Sequence, residues 1–545
     1  MTPLVLFAIA FAARVAVAGL FVDPAYPDSY YYVSVARQLA AGHGFSVDYI
    51  WNFADVGGTL PAAGVLPIPS NAHWLPLATL VQVPFIWLLG PSALASALPF
   101  WLAGAAAAPL AWAIGRDIGV GDGVAVLAGL LTAVPAALAP FLAQPDNFGL
   151  LMTIGALALW LAYRAGRGER WAFVAGGLVV GLAALARNDG LLLGVPFAVA
   201  ALRGLRDPAR RRASLVAGLA CVAACAVVIG PWLARQLAVF GSLSPSAANG
   251  RMLWGIDYRQ QWSAGELPTL DSLLALGAGP LLASRLEGLA AALGSFALLP
   301  LAAVLVPLAL IGAWQRRRDP AFAPFFMYGA LLLAVSSVLF AGHVAHGMFM
   351  HSAVALVPHT FLLVGVGLGG AIDWMAARRP AWQPQRARSV FGGGLVAVAL
   401  VAALVQGQAT LAAWRAAEQP RRELAAALAE LPSTDVLMAA DPGALNYLYG
   451  RPAIVTPDDP LPLIERAARL YGVRWLVLEQ AQIVPSLVPV LRGELHPGWL
   501  SAPLAVVPAH QPALAAAGAV DASSEPPLAA LYAVCLEPAD TRCAR

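Results

Sequence analysis

The first side chain placed to do chemistry is Asp28. It stands in Val22-Asp23-Pro24-Ala25-Tyr26-Pro27-Asp28-Ser29-Tyr30-Tyr31-Tyr32, the first polar ground after a leading apolar run. The stretch that follows, Ser29 to Leu39, reads as a short amphipathic helix, so the carboxylate lies just ahead of it. A carboxylate there can take a proton from a hydroxyl or amine as a general base, or cap the helix, and the two roles are compatible. An ordinary Asp, with a pKa of about 3.9, is a weak base, so much of any rate would have to come from positioning.

Other candidates lie far along the chain. Asp146, in Gln144-Pro145-Asp146-Asn147, suits a second catalytic carboxylate or metal ligand, or a plain turn and helix cap. Arg187, in Arg187-Asn188-Asp189, separates two apolar runs and fits either a phosphate contact or an ion pair with Asp189. His343, His346 and His351 flank a turn before another apolar run and suit phosphate, metal or a membrane interface. No carboxylate neighbours them in sequence, which weakens the metal reading. His73 and Arg251 sit in the two longest polar stretches and could line a cleft, while Arg14 interrupts the leading apolar run and either reaches a phosphate or snorkels.

Something must hold such scattered groups together, and composition says what. Hydrophobic residues make up 60% of the 545 residues and charged residues 12%, against roughly 25% charged in soluble domains. The mean hydropathy is +0.72. This is the composition of an integral membrane protein. A net charge of +3 gives no case for nucleic acid, and every basic residue is arginine, which excludes lysine Schiff-base and Walker-type chemistry. Cys221 and Cys225 lie one helical turn apart in an apolar run and read as packing residues. Cys535 and Cys543 in the tail could pair, which spacing alone does not decide.

Apolar runs long enough for a span number about eleven. They are Leu4–Phe21, Ala93–Gly115, Val124–Leu142, Phe148–Tyr163, Trp171–Ala186, Gly190–Leu202, Leu215–Leu233, Leu289–Trp314, Phe325–Ala341, Ser352–Trp374 and Phe391–Leu411. The first has no basic residue before Arg14 and reads as an uncleaved span. With the N-terminus in the cytoplasm, the arginine clusters at 164–170, 203–212, 316–318 and 378–388 all fall inside, as the positive-inside rule asks. The stretches 22–92 and 234–284 then become long outer loops, and the turns with Asp146, Arg187 and the histidines also fall outside. The short, proline-broken run Trp74–Leu89 belongs to the first outer loop. The expected organisation is a multi-spanning module over 1–416 and an extracytoplasmic α/β domain over 417–545. In the latter, Val436–Ala440, Trp475–Glu479 and Leu528–Leu536 read as strands and Leu461–Tyr471 as a helix.

The early Asp28, aromatic residues three and four positions on (Tyr31, Tyr32), and Ala36-Arg37-Gln38-Leu39-Ala40-Ala41-Gly42-His43-Gly44-Phe45 resemble the first outer loop of the C-type glycosyltransferases. These polytopic enzymes use polyprenyl-phosphate sugars and include protein O-mannosyltransferases and aminoarabinose lipid A transferases. Asp146 matches the second acid that the family carries after its third span. Gly181-Leu182-Ala183-Ala184-Leu185-Ala186-Arg187-Asn188-Asp189-Gly190 is similar to its small-residue helix ending in a basic residue and glycine. One departure is Ser29 where many relatives have a second acid.

The resemblance implies an α-helical polytopic fold and inverting transfer of a sugar, at the outer membrane face, to an acceptor glycan, lipid or protein hydroxyl or amine. It implies Asp28 as base with Asp146 assisting. Arg187, His351, His346, His73, Tyr32 and Arg251 would lie around the donor or its lipid phosphate, and Asp28 and Asp146 would be the ligands of any divalent metal. Two rival classes stay open. A transporter or flippase would bury charges mid-span and repeat its halves, and a non-catalytic envelope-assembly protein would not need Asp28.

Overall fold

The computed structural model describes residues 3–509 and 525–537, apart from Asn249, Glu266 and Pro380. Cys543 therefore lies outside the described residues, while Cys535 is disulfide-bonded. By contact the chain forms two compact units. The first comprises Met1–Pro24, Trp74–Ala238 and Leu276–Leu411; the second comprises Ala25–His73, Val239–Ala275 and Ala412–Arg545. The two long polar stretches thus group with the C-terminal part of the chain, and the grouping does not follow a single cut near 416.

The first unit is helical. Among the described residues, seven helices are long and apolar enough to cross a membrane: Ala93–Asp117, Asn147–Gly166, Arg211–Phe240, Ala278–Leu298, Pro320–Leu339, Met348–Ala376 and Pro384–Glu423. The bent pair Asp122–Ala133 and Ala136–Ala143 makes an eighth if taken as one span. The sequence reading of about eleven also counts apolar runs that are shorter or broken in the structure. Pro3–Ala18 and Arg170–Ala186 have 16 and 17 residues, about 24–26 Å at 1.5 Å per residue, which falls short of a hydrocarbon layer of about 30 Å. The run read as Gly190–Leu202 divides into a 3₁₀ segment, Asn188–Gly194, and a short helix, Val195–Leu205. The run read as Leu289–Trp314 is interrupted between Leu298 and Val306, where Ala302 and Ala303 take positive φ.

Burial sorts these helices. Of the most apolar window of Met348–Ala376, 78% is buried, so this helix sits inside the bundle; in Arg211–Phe240 only 11% is buried, and its valines and leucines face outward. Pro3–Ala18 packs through Leu6 and Ala10 onto Ala105, Ala108 and Ala133. Arg14 is drawn into this contact: it donates to the carbonyls of Ala10 (2.7 Å), Gly104 (2.9 Å) and Ala133 (3.4 Å) and is 2% exposed. It therefore ties three helices together and does not snorkel. Gly104 makes room for it, since a Cβ there would lie 3.0 Å from Arg14 Nε and 3.2 Å from Gly149 Cα.

The second unit is built on a six-stranded mixed sheet in the order Tyr49–Ile50, Ala453–Val455, Val436–Ala439, Val473–Glu479, Ala529–Val534, Leu500–Val507. The first three pairings are parallel and the last two antiparallel. The strands and helix expected from sequence in the C-terminal stretch are present, with the helix at Leu461–Leu470. Unforeseen is the edge strand Tyr49–Ile50, which comes from the early polar stretch and pairs with Ala453 and Ile454. The helix Pro27–Ala40 belongs to the same unit, with Tyr30 packed on Tyr447 and Arg37 over the Tyr447 ring at 4.5 Å.

Arg251 serves this unit's architecture. It is 2% exposed and donates to the carbonyls of Gly58 (2.8 and 2.6 Å), Gln260 (2.8 Å) and Gly265 (3.1 Å), pinning 25–73 to 239–275. A guanidinium engaged with so many carbonyls has a structural role first. Asp55, in the early polar stretch, is buried, and burial pushes its pKa up to about 7. Arg421 is enclosed between two acids, at 3.2 Å from Asp441 and 2.8 Å from Glu479.

Candidate active site

In the membrane unit, Asp146 is fully buried and forms the N-cap of Asn147–Gly166. Pro145 disfavours helix at Gln144, which is extended (φ −83°, ψ 152°), so the chain enters the helix abruptly at Asp146. The Asp146 carboxylate accepts from the Asn147 amide at 2.5 Å. The cap expected from turn chemistry is therefore present, but it is only part of what this carboxylate meets. His351 Nδ1 lies 3.7 Å from its other oxygen, and the His351 ring stacks on Phe148 with centroids 4.1 Å apart.

Asn147 links this helix start to the end of the next helix, because its amide donates to the Ala186 carbonyl at 3.1 Å. The following residue is Arg187, extended (φ −152°, ψ 143°), where Arg170–Ala186 stops. Gly190 lets the turn fold back on that helix, since a Cβ there would lie 2.3 Å from the Ala183 carbonyl oxygen. Arg187 Nε lies 3.1 Å from Asp189 and donates to Ser352 Oγ at 2.9 Å. Ser352 Oγ in turn donates to the other Asp189 oxygen at 2.6 Å, and Tyr328 donates to the Ser352 carbonyl at 3.3 Å. The expected ion pair with Asp189 is thus found, within a network that also holds the residue after His351.

Asp146, Arg187 and His351, widely separated in sequence, are so drawn to one end of three helices. Sequence reasoning passed over Ser352, because a serine opening an apolar run carries no signal of its own. The other histidines have separate places. His346 is exposed, while burial and then the neighbouring His346 hold the His343 imidazole down at about 4, neutral at pH 7. A buried carboxylate oxygen and an imidazole nitrogen 3.7 Å apart are close enough to be two neighbouring ligands of one ion, at metal–ligand lengths of about 2.0–2.2 Å.

In the second unit, Asp28 sits in the first turn of Pro27–Ala40. It is not the N-cap: Tyr26 holds that position without a side-chain bond, and Pro27 follows. A carboxylate in a first turn is stabilised as the anion by the helix dipole. Burial, and then the Asp28 charge, raise the Tyr258 hydroxyl to about 12. Tyr32 is buried in the same helix, edge-on to Tyr31. His73 lies 3.1 Å from Ser246 Oγ, and its ring packs tilted against Trp51 with centroids 5.2 Å apart.

A family described as dolichyl-phosphate-mannose-protein mannosyltransferase matches residues 73–234. That stretch carries Asp146, Arg187 and Asp189 but neither Asp28 nor His351. No curated protein sequence matches the chain. Among solved structures, the chain is similar to ArnT from Cupriavidus metallidurans bound to undecaprenyl phosphate, with TM-score 0.58 and 14% identity over 98% of each chain. The apo form of that protein gives 0.56 and 14% over 97% of each. An Archaeoglobus fulgidus oligosaccharyltransferase in complex with Zn and sulfate gives 0.50 and 14%, over 86% of this chain and 68% of that one. The resemblance to C-type membrane glycosyltransferases read in the sequence thus holds at the level of fold.

Proposed function

We propose that the protein is a multi-pass membrane glycosyltransferase that moves a sugar from a polyprenyl-phosphate donor to an acceptor hydroxyl or amine. The observation that carries this is the gathering of a buried acid, a histidine and a partly exposed arginine at Asp146, His351 and Arg187, on a fold similar to that of a protein bound to undecaprenyl phosphate. A transporter would need charges along mid-span positions, whereas these charges gather at helix starts and ends.

In the reaction, the acceptor oxygen or nitrogen attacks the anomeric carbon from the face opposite the phosphate. The bond from that carbon to the phosphate oxygen breaks, the polyprenyl phosphate leaves with the electron pair, and the configuration inverts. Asp28 takes the acceptor proton as general base. Arg187, fixed in orientation by Asp189 and Ser352, places positive charge where the leaving phosphate gains negative charge. Asp146 and His351 would hold a divalent ion if one is used, and that ion would supply further charge to the phosphate. The arginine-rich helix ends are assigned to the cytoplasm. The Asp146 end, the second unit and the reaction then lie on the outer face. Of the remaining candidates, Tyr32 and His73 are assigned to the acceptor side, and Arg251 acts only by bracing 25–73 against 239–275.

The deciding experiment is sugar transfer by Asp28→Asn with a panel of polyprenyl-phosphate sugars. Asn keeps the shape of Asp but accepts no proton, so transfer should fall by at least about 10²-fold. Protein yield should hold. Asp23→Asn is the control and should cost far less. Equal losses in both would reduce Asp28 to one of several loop charges, and full activity in Asp28→Asn would end the mechanism. Combining Asp28→Asn with Asp146→Asn should cost much less than the product of the single losses if both act in one step.

A further inference from the structure

The membrane unit has a second hollow at its other end. His351 opens the helical run Met348–Ala376 and Asp373 nearly closes it, 22 residues later, about 33 Å by helix rise. Around Asp373 lies a cavity of about 950 Å³. Its sides are apolar, with Leu127, Leu130, Val366 and Val396, and its mouth is polar, with Arg316 and Arg388. It shares no residue with the Asp146 site.

Two observations separate this hollow from a packing gap. Its walls carry Gly369 and Gly393, and a Cβ on either would meet nothing within 4 Å, so open space runs along both helices. Its mouth carries arginines at the ends of two apolar helices. Arg316 and Arg388 lie 2.8 Å from Asp319 and 2.5 Å from Asp373, yet their side chains remain 31% and 47% exposed. Arg317, Arg318, Arg378, Arg379 and Arg386 add charge on the same stretches. Trp314 and Trp374 are exposed there, with Arg317 and Arg378 over their rings at 3.9 and 4.0 Å, the aromatic belt of a membrane interface. A shallower hollow shares Gln385 and Ser389 with the first and adds Trp382 and Arg386.

We propose that this groove binds an anionic glycerophospholipid from the leaflet on the arginine-rich side. One acyl chain lies in the glycine-, valine- and leucine-lined trough, and the phosphate sits between Arg316 and Arg388. Charge complementarity selects this occupant: apolar walls receive the chain, and the excess of arginine at the mouth favours a net negative head over a zwitterionic one.

The test is native mass spectrometry on the purified full chain in detergent, titrated with phosphatidylglycerol or phosphatidylcholine of matched chains. Wild-type protein should retain phosphatidylglycerol at least tenfold better. Gly369→Leu with Gly393→Leu fills the trough from both walls and should lower that retention at least tenfold. Arg316→Gln with Arg388→Gln should remove the preference between the two lipids. Equal retention of both lipids by wild-type protein overturns the proposal, as does undiminished phosphatidylglycerol binding in the filled variant. A dimer mass that vanishes on filling the trough also overturns it, because the groove would then be covered by a second copy of the chain. If the filled variant does not fold, the arginine pair decides alone: an unchanged preference for phosphatidylglycerol rejects the site.

Discussion

Two buried ionic clusters, one in each unit, are alike in composition and opposite in character. Around Arg421 the structure is closed: Arg421, Asp441 and Glu479 are 3–5% exposed, Gln482 lies at 3.4 Å from the guanidinium, and Tyr449 donates to the Arg421 carbonyl. Around Arg187 the pairing is as short, but Arg187 and Asp189 keep 21% and 12% of their side-chain surface. A cation walled in by its own partners can only hold a fold. One that is oriented by partners and still reaches solvent can meet a ligand. Burial of the pair, more than its existence, separates the enclosed Arg421 from Arg187, the candidate for ligand contact.

The contrast can be broken from either side. The largest effect is expected from Arg421→Met, which leaves two acids facing each other in a closed site and should cost about 3–5 kcal/mol. Thermal unfolding in detergent would measure it, and an unchanged melting temperature would mean that the cluster is not what holds the second unit. Next is Arg187→Gln, expected to lower sugar transfer by about 10²–10³-fold, as loss of a charge-stabilising donor does. Its melting temperature should stay within a few degrees of wild type; a large fall would place Arg187 in the same class as Arg421.

A smaller effect concerns pH. Asp55 has a raised folded-state pKa of about 7, against about 3.9 in an unfolded chain. The native state therefore keeps a proton that the unfolded state has released. Stability from this group is complete below about pH 4 and is lost as pH rises through about 7. Asp55→Asn should match wild type in acid and exceed it by a few degrees at pH 8, and a difference that does not grow between pH 4 and 7 would reject the assignment. Smallest is Ser352→Ala. It removes one hydroxyl between Arg187 and Asp189, worth about 0.5–1.5 kcal/mol, so transfer should fall less than about tenfold while Asp189 keeps the arginine in place.

Much of the site was legible because its residues break local expectations. Asp146 follows a proline at a helix start, Arg187 stands between apolar runs, and His351 opens another. The same signal misled at Arg14 and Arg251, which also interrupt their surroundings but turn to backbone carbonyls. A sequence displays an isolated charge but not the carbonyls that a neighbouring helix end or loop will offer it. For a related reason, not every apolar run appears as one long helix. Apolar composition continues across Leu299 to Leu305 and from Gly190 to Leu202, but one α-helix does not. The strand Tyr49–Ile50 was beyond reach, since two residues carry no periodicity and their partners come some four hundred positions later.

That strand governs the order in which the protein can be made. Tyr49 and Ile50 leave the ribosome some four hundred residues before the edge they pair with, Ala453–Val455. Until that edge is made, the segment that carries Asp28 has no sheet to join. Chain-closure entropy rises only slowly with the length of the intervening chain, so the delay costs time more than stability. Nascent chains arrested before Ala453 should therefore be cut by added protease within 25–73, and those released after Val534 should resist it. The segment that carries the proposed base would thus be docked only after residues 453–455 have been made.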